Sequence, residues 1–432
     1  MIYNKPYECM ERSEIELFQF EKLQSTINRL IIQVPFYRDL FQKNGLTPSD
    51  IISLDDLQRI PFTNKETLRQ NYPYGLFAVP LREVVRIHTS SGTTGMPIVI
   101  GYTKNDIDHW TELVARVLVA GGMTKDDVIQ VAYNYGLFTG GLGFHYGAEK
   151  VGASVIPSSS HNPEGQLHIM KYYKTTVLVC TPSYALTLAE TREELGIKPQ
   201  ELSLRFGIFG AEPWSEKVRE KIEQGFQIIA YDTYGISEIM GPGVATECEV
   251  REGLHIFEDH FIPEVVNPDT GERLPYGEEG ELVITTITKE AIPLLRFRTG
   301  DITSLNYEPC KCGRTMVRMS RVKKRTDDTI FYHGVKIQPA QIEDIIMKAE
   351  GLLPHYQIVL DSDESGDTFT VKVELDERLF SDEIRKIQEM QTSVEKQIEK
   401  ELGIESEVKF VEPRSLERTI NKTKHVIDNR KK

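Results

Sequence analysis

The chain has 432 residues, five cysteines and a formal net charge of -14, with 40% hydrophobic and 27% charged residues. That length exceeds one ordinary core and sets the expectation of a large domain plus a smaller one, while the composition excludes a mainly disordered chain. The acidic balance weighs against nucleic-acid binding, because affinity for a phosphate backbone is supplied by clustered Lys and Arg. Residues 1–16 alternate in charge without an apolar h-region, and nowhere do eighteen apolar residues run together, so neither secretion nor a membrane span is indicated and the cytoplasm is the expected compartment. An odd number of cysteines in so long a chain agrees with a reducing environment.

In chain order, Ile15, Phe18, Leu23, Ile27, Leu30 and Ile31 fall near helical spacing, and Val34-Pro35 closes that lead-in. After Arg86-Ile87-His88 comes a polar, glycine-bearing run from Thr89 to Gly95, then the strand-like Ile98 to Ile100. Thr103 begins a capping-box spacing with Asp106, and Trp110, Leu113, Val114, Val117 and Leu118 mark the buried face of the helix it caps. From about 128 to 235 short apolar strands alternate with helical segments, which predicts a sheet with helices on its faces. Residues 255–305 switch to alternating apolar and polar positions with turns such as Pro268-Asp269-Thr270-Gly271, the pattern of an antiparallel subdomain. From about 327 the pattern restarts: a strand at 329–331, a helix at 340–348, strands at 356–360 and 369–375, a charged helix at 382–402 and a strand at 408–411. A hundred such residues suffice for an independent α+β domain.

The run Ser90, Ser91, Gly92, Thr93, Thr94 and Gly95 packs small residues whose backbone N–H groups can turn inward, with hydroxyls as further donors, so it can wrap a polyphosphate. It lacks the Gly-Lys-Ser/Thr of a Walker A loop, and by itself such a run also describes a mobile surface loop. Three more segments follow: Gly210-Ala211-Glu212-Pro213, then the stretch from Tyr231 through Asp232, Tyr234, Gly235 and Ser237 to Glu238, then Arg298-Thr299-Gly300-Asp301. Singly they read as a strand end, an aromatic turn and a Gly-Asp turn.

Together, in this order, they resemble the adenylate-forming (acyl-CoA synthetase) superfamily, and the late Arg325-Thr326-Asp327-Asp328 adds to the resemblance. Tyr135 to Gly143, Met240 to Ala245 and Glu258-Asp259-His260-Phe261 look like its phenylacetate-CoA ligase branch. The resemblance implies an α/β fold with mixed α+β subdomains: a large adenylation domain at 1–326 that binds ATP and acid, and a small mobile C-terminal α+β lid at 327–432. It also implies that Ser90 to Gly95 hold the ATP phosphates, that Gly210, Ala211, Glu212 and Pro213 border the adenine, that Tyr234 lies against the ring between Asp232, Gly235 and Ser237, and that Asp301 takes the ribose hydroxyls. Arg325 then contacts the nucleotide, Thr94 and Glu238 belong to the catalytic set, and Glu238 is the Mg²⁺-associated carboxylate, a hard oxygen ligand suited to a cation that bridges phosphates.

The activity so implied joins an aryl acid, phenylacetate or a related arylacetate, to coenzyme A through an acyl-adenylate at the expense of ATP. Lys422 matches the family's adenylation lysine, with Lys424 as the rival position. Asp327 falls at the matching hinge, and His333, Gly334, Val335 and Lys336 match the loop that faces the thiol after the lid turns. Tyr133, Tyr135, Phe138, Thr139, Gly140 and Gly141 would build the acid pocket opposite Ile236, Met240, Gly241 and Pro242, since glycines beside aromatics leave a flat slot for a ring. The same residues also fit tight turns packing a core. This chain departs from the family at Met96, Lys324, Asn421, His333 and Lys336.

Cys310-Lys311-Cys312-Gly313 places two thiols across a tight turn, and Cys248 with His255 supplies a second pair. Cys₃His is a closed, structural zinc set; the alternatives are that Cys248 is a small buried residue, or that His260 is the fourth ligand. Two other functions stay open at this level: an adenylating enzyme that loads an aryl acid onto a carrier protein, and a non-catalytic nucleotide-binding homologue. The family resemblance adds a homodimer as the expected assembly, with no nucleic-acid or membrane partner.

Overall fold

The computed structural model describes residues 1–90, 97–160, 162–326, 328, 330–333, 335–349, 351–363, 366–375, 384–416 and 425–430. Ser91, Gly92, Thr93, Thr94, Gly95, Asp327, Gly334, Lys422 and Lys424 lie outside the described residues, as do the side chains of Ser90 and Lys336. The chain divides into two compact units, Met1–Ala211 with Ile222–Arg321 and Glu212–Lys221 with Val322–Lys432.

In the first unit the expected alternation becomes five parallel strands, in the order Ser154–Ile156, Val128–Val131, Val177–Cys180, Phe206–Gly210 and Ile229–Tyr234. The central strands are buried along their whole length, as the continuous apolar runs of a covered parallel sheet require. Four short strands, Ala245–Thr246, Leu254–Ile256, Arg318–Met319 and Leu305–Asn306, extend the sheet antiparallel to nine. Two or three residues carry too little alternation to announce a strand, and the sequence reading did not anticipate this extension. The antiparallel reading of 255–305 is realised in Phe261–Val266, Gly280–Thr286 and Phe297–Thr303, which pair in succession.

The lead-in forms helices Arg12–Gln33 and Pro35–Lys43, with Pro35 ending the first and opening the second. The capping box at Thr103 is present: its hydroxyl accepts from Asp106 N at 3.0 Å, and Asp106 Oδ2 accepts from Thr103 N at 2.9 Å. All five apolar residues assigned to the helix Lys104–Ala120 are buried. At the start of Val128–Val131, Asp127 accepts from Thr124 N at 2.8 Å, Thr176 Oγ1 at 2.6 Å and Arg205 Nη2 at 2.7 Å, tying three strand-entry segments to one carboxylate.

The second unit has its own core, in which Ile337, Ile342, Ile346, Ile358, Val371 and Ile398 are fully buried. Its sheet runs Glu407–Val411, Gly366–Leu375, Leu352–Asp363, Val426–Asp428; the middle pair is antiparallel and both outer pairs are parallel. Among its described residues are also helices Pro339–Lys348 and Ile384–Leu402 and the hairpin Ile330–Tyr332 with Val335–Ile337. Here the long strands extend beyond the apolar stretches at 356–360 and 369–375, because hydrogen bonding continues past the residues that are buried.

Candidate active site

Gly210 and Thr233 are register partners at the carboxyl ends of adjacent parallel strands, so the Gly210-Ala211 and Tyr234-Gly235 segments leave the sheet side by side. Open α/β sheets place their ligand crevice at such ends. Ala211 turns the chain there with φ of 74°. The Tyr234 hydroxyl donates to Asp301 Oδ2 at 2.6 Å, joining two of the sequence segments. Asp301 is buried, and its own N–H donates to Thr299 Oγ1 at 3.1 Å, so the carboxylate leaves a fixed turn. Asp232 is engaged differently: its N–H donates to Glu247 Oε2 at 2.7 Å and its carboxylate accepts from Arg321 Nε at 2.8 Å. Glu212, Pro213 and Arg325 fall in the second unit, where Arg325 Nε lies 3.7 Å from Asp328 Oδ2.

From Tyr234 the chain enters a tight turn in which the N–H groups of Ile239, Met240 and Gly241 all donate to the Ile236 carbonyl. A Cβ on Gly235 would lie 2.0 Å from Gly241 O, and Gly241 itself has φ of 100°, so both positions require glycine. Glu238 and Met240 are buried on this turn. It faces the other segment assigned to the acid: Thr139 Oγ1 lies 3.2 Å from Ser237 Oγ, and Thr139 also borders Gly241.

Within that second segment the assigned residues divide. Tyr135 and Phe138 remain half-buried, with the Tyr135 hydroxyl 3.3 Å from His145 Nδ1. Tyr133 is buried, stacks on Phe144 at 5.4 Å, donates its hydroxyl to Cys180 O at 2.7 Å and keeps its ring beside Phe138, 6.4 Å away between centroids. Gly140 and Gly141 open the helix Gly140–Val151 and are buried.

Sequence reasoning missed the joint between this segment and the strand that enters the polar run. Leu137 O accepts from Thr89 N at 3.2 Å and stands 3.0 Å from His88 Nδ1. Only the spatial meeting of residues about fifty positions apart reveals it. In the second unit, His333 stacks on Tyr332 at 4.2 Å with φ of 46°, at the tip of the hairpin that Val335 re-enters.

Cys248, His255, Cys310 and Cys312 converge, their ligand atoms all within 4.8 Å of one another. Cys248 and Cys310 sulfurs are 3.8 Å apart, and Cys312 Sγ is 3.5 Å from His255 Nε2. Tetrahedral zinc with bonds of about 2.3 Å to sulfur and 2.0 Å to nitrogen has edges of roughly 3.5–3.8 Å, so the donor set fits that ion. His260 is engaged elsewhere, its Nδ1 2.7 Å from Thr288 Oγ1 and its ring against His109, so it is not the fourth member. The hydrogen bond with Cys248 holds the Cys312 thiol well below the usual thiol range, and Arg314 Nη1 donates to its sulfur at 3.5 Å. Arg314 also pairs with Glu8 at 2.7 Å in a fully buried ion pair, which fastens the N-terminal segment beside the cluster.

The family model for AMP-binding enzymes matches residues 43–288, and that for the AMP-binding enzyme C-terminal domain matches residues 334–430. The phenylacetate-coenzyme A ligase of Thermus thermophilus is 45% identical over 445 aligned positions that span all of both chains. That of Escherichia coli is 45% identical, covering 98% of this chain and 97% of its own. A solved 2-hydroxyisobutyryl-CoA ligase in its postadenylation state, in complex with 2-HIB-AMP, superimposes with a TM-score of 0.92 at 26% identity over 99% of this chain and 92% of the other.

Proposed function

Because the chain belongs to the phenylacetate-CoA ligase branch of the AMP-binding enzymes, we propose that it converts phenylacetate or a related arylacetate to its CoA thioester, with ATP cleaved to AMP and pyrophosphate. The observation that carries this reading is the end-to-end likeness to the Thermus thermophilus ligase at 45% identity. The local geometry supports it, since Tyr234 and Asp301 meet at the carboxyl edge of a parallel sheet.

In the first half-reaction the acid carboxylate attacks the α-phosphorus of ATP and pyrophosphate departs. The residues proposed for this step are the polar run from Ser90 to Gly95 on the phosphates and Lys422 as the cation that neutralises spreading negative charge. Asp301 would hold the ribose hydroxyls, with Tyr234 orienting its carboxylate and lying along the adenine. Glu238 would hold Mg²⁺, which supplies charge neutralisation on the phosphates when bound. The acid ring would sit between Tyr135, Phe138 and the turn carrying Met240 and Gly241. In the second half-reaction CoA sulfur attacks the adenylate carbonyl and AMP leaves. For that step we assign residues 327–432 as the lid, Asp327 as its hinge, and the His333 to Lys336 hairpin as the part that meets CoA. The Cys248, His255, Cys310 and Cys312 set would hold a structural Zn²⁺, because four protein ligands leave no open position for chemistry.

Homodimeric assembly and a cytoplasmic location, where ATP and CoA are available, complete the proposal. Both are supported by the family resemblance; among the described residues no helix is long and apolar enough to cross a membrane.

The decisive experiment supplies ATP, Mg²⁺ and CoA with a panel of aromatic acids and measures AMP and thioester together. Acid-dependent AMP release with matching thioester is expected, and loss of both in Lys422→Ala. ATP cleavage to AMP without CoA consumption would transfer the reading to carrier-protein loading, which a phosphopantetheine carrier offered in parallel detects.

A further inference from the structure

The turn that bears Glu238 ends like the last turn of a helix, with three N–H groups converging on the Ile236 carbonyl, so the carbonyls that follow have no partner within the turn. Three side chains from other elements supply donors. Lys289 Nζ donates to Ile239 O at 2.8 Å and lies 3.5 Å from Glu238 O; the Tyr102 hydroxyl donates to Met240 O at 2.9 Å; Trp110 Nε1 donates to Pro242 O at 2.8 Å. Tyr102 and Trp110 stack at 5.1 Å, and the Lys289 ammonium rests 4.7 Å from the Tyr102 ring centroid.

Lys289 is the costly member of this trio. It has no exposed surface, and burial pushes its ammonium down to about 8 against the opposing pull of Asp106 and Glu238. An apolar side chain of similar length would fill the space without desolvating a charge, so the ammonium is explained by what it does to the carbonyls rather than by packing. A cation also suits the negative end of a helical turn.

We propose that Lys289 is a positioning residue for adenylation: by gathering the carbonyl oxygens of Glu238 and Ile239 it sets the direction in which the Glu238 carboxylate leaves the turn to meet the cation that accompanies ATP. This deepens the ligase reading and rests on it. The Met240 carbonyl is held separately by the Tyr102 hydroxyl, whereas among the described contacts the carbonyls of Glu238 and Ile239 are bonded by Lys289 alone.

The test compares wild type with Lys289→Met, which keeps length and loses the donor and charge, and Lys289→Gln, which keeps a donor. AMP release is measured against Mg²⁺ concentration at saturating acid and ATP, alongside thermal unfolding. In Lys289→Met the Mg²⁺ level for half-maximal activity rises about fivefold or more and kcat falls about tenfold or more, and Lys289→Gln recovers part of both. A role limited to packing would lower the unfolding temperature and leave the Mg²⁺ requirement of the folded fraction unchanged, and that result overturns the proposal. If Lys289→Met fails to fold, Lys289→Leu, which also removes the donor and the charge, takes its place, and wild-type Mg²⁺ dependence in that variant overturns the proposal equally. A wild-type protein that releases no AMP with any acid removes the ligase reading and this inference with it, whereas an active wild type with indifferent variants removes the inference alone.

Discussion

The hydroxyl of Tyr234 and the carboxylate of Asp301, 67 positions apart in the chain, meet at 2.6 Å where the parallel sheet gives way to the antiparallel strands. In the proposed site this contact aims a charged acceptor at the ribose. Asp301→Asn should raise the ATP KM roughly tenfold to a hundredfold, the range of a charge-assisted hydrogen bond of about 1.5–3 kcal/mol. Tyr234→Phe should raise it only about threefold to tenfold, since the acceptor remains and loses its orientation. Initial rates at varied ATP measure both, and an unchanged KM in Asp301→Asn would remove Asp301 from the nucleotide site.

The zinc assignment predicts one zinc ion per chain in protein purified without chelator. Cys312→Ser should abolish it and lower the unfolding temperature, because the cluster joins the strand Leu254–Ile256 to the 310–314 turn and that turn to the N-terminal segment. Elemental analysis with differential scanning calorimetry settles the matter. Metal-free wild type with unaltered stability would contradict the assignment.

Breaking the buried pair of Glu8 and Arg314 should destabilise the first unit strongly. Arg314→Met leaves Glu8 buried without its charge partner, a loss of about 3–5 kcal/mol for pairs of this kind. Glu8→Gln with Arg314→Met should lose less than the sum of the single changes, because neither buried charge then remains. Urea unfolding of the two single variants and the double variant measures the coupling.

Asp127 gives a pH signature. Burial raises its pKa, but the hydrogen bonds from Arg205, Thr176 and Thr124 outweigh this and hold it below the usual aspartate range. A carboxyl depressed in the folded state stabilises the fold above its unfolded pKa, roughly 3.9, and that stabilisation is lost as pH falls through the folded value. Asp127→Asn should therefore unfold at lower temperature than wild type at pH 7, with the gap narrowing below about pH 4. A gap constant from pH 7 to pH 3 would show that the charge is not what stabilises the strand entries.

Local pattern made some of this legible from the chain alone. Trp110, Leu113, Val114, Val117 and Leu118 repeat at helical spacing and all face the core, and Thr103 with Asp106 caps their helix as the spacing demanded. The parallel strands declared themselves as short apolar runs between helices. The antiparallel extension did not, because strands such as Ala245–Thr246 are too short to carry a period of two. Tyr133 shows a different limit: its stack on Phe144 and its bond to Cys180 O join positions that no local pattern pairs.

The order of residue types along the chain was enough to identify the family, the two-part architecture and the chemistry expected of the polar run, because each needs particular atoms at particular separations along one backbone. Which histidine joins the cysteines, which carboxylate Tyr234 orients, and which buried cation holds the Glu238 turn were decided only in three dimensions. Those are contacts between residues 28 to 67 positions apart, and sheet pairing and helix packing, rather than local sequence, bring such segments to hydrogen-bonding distance.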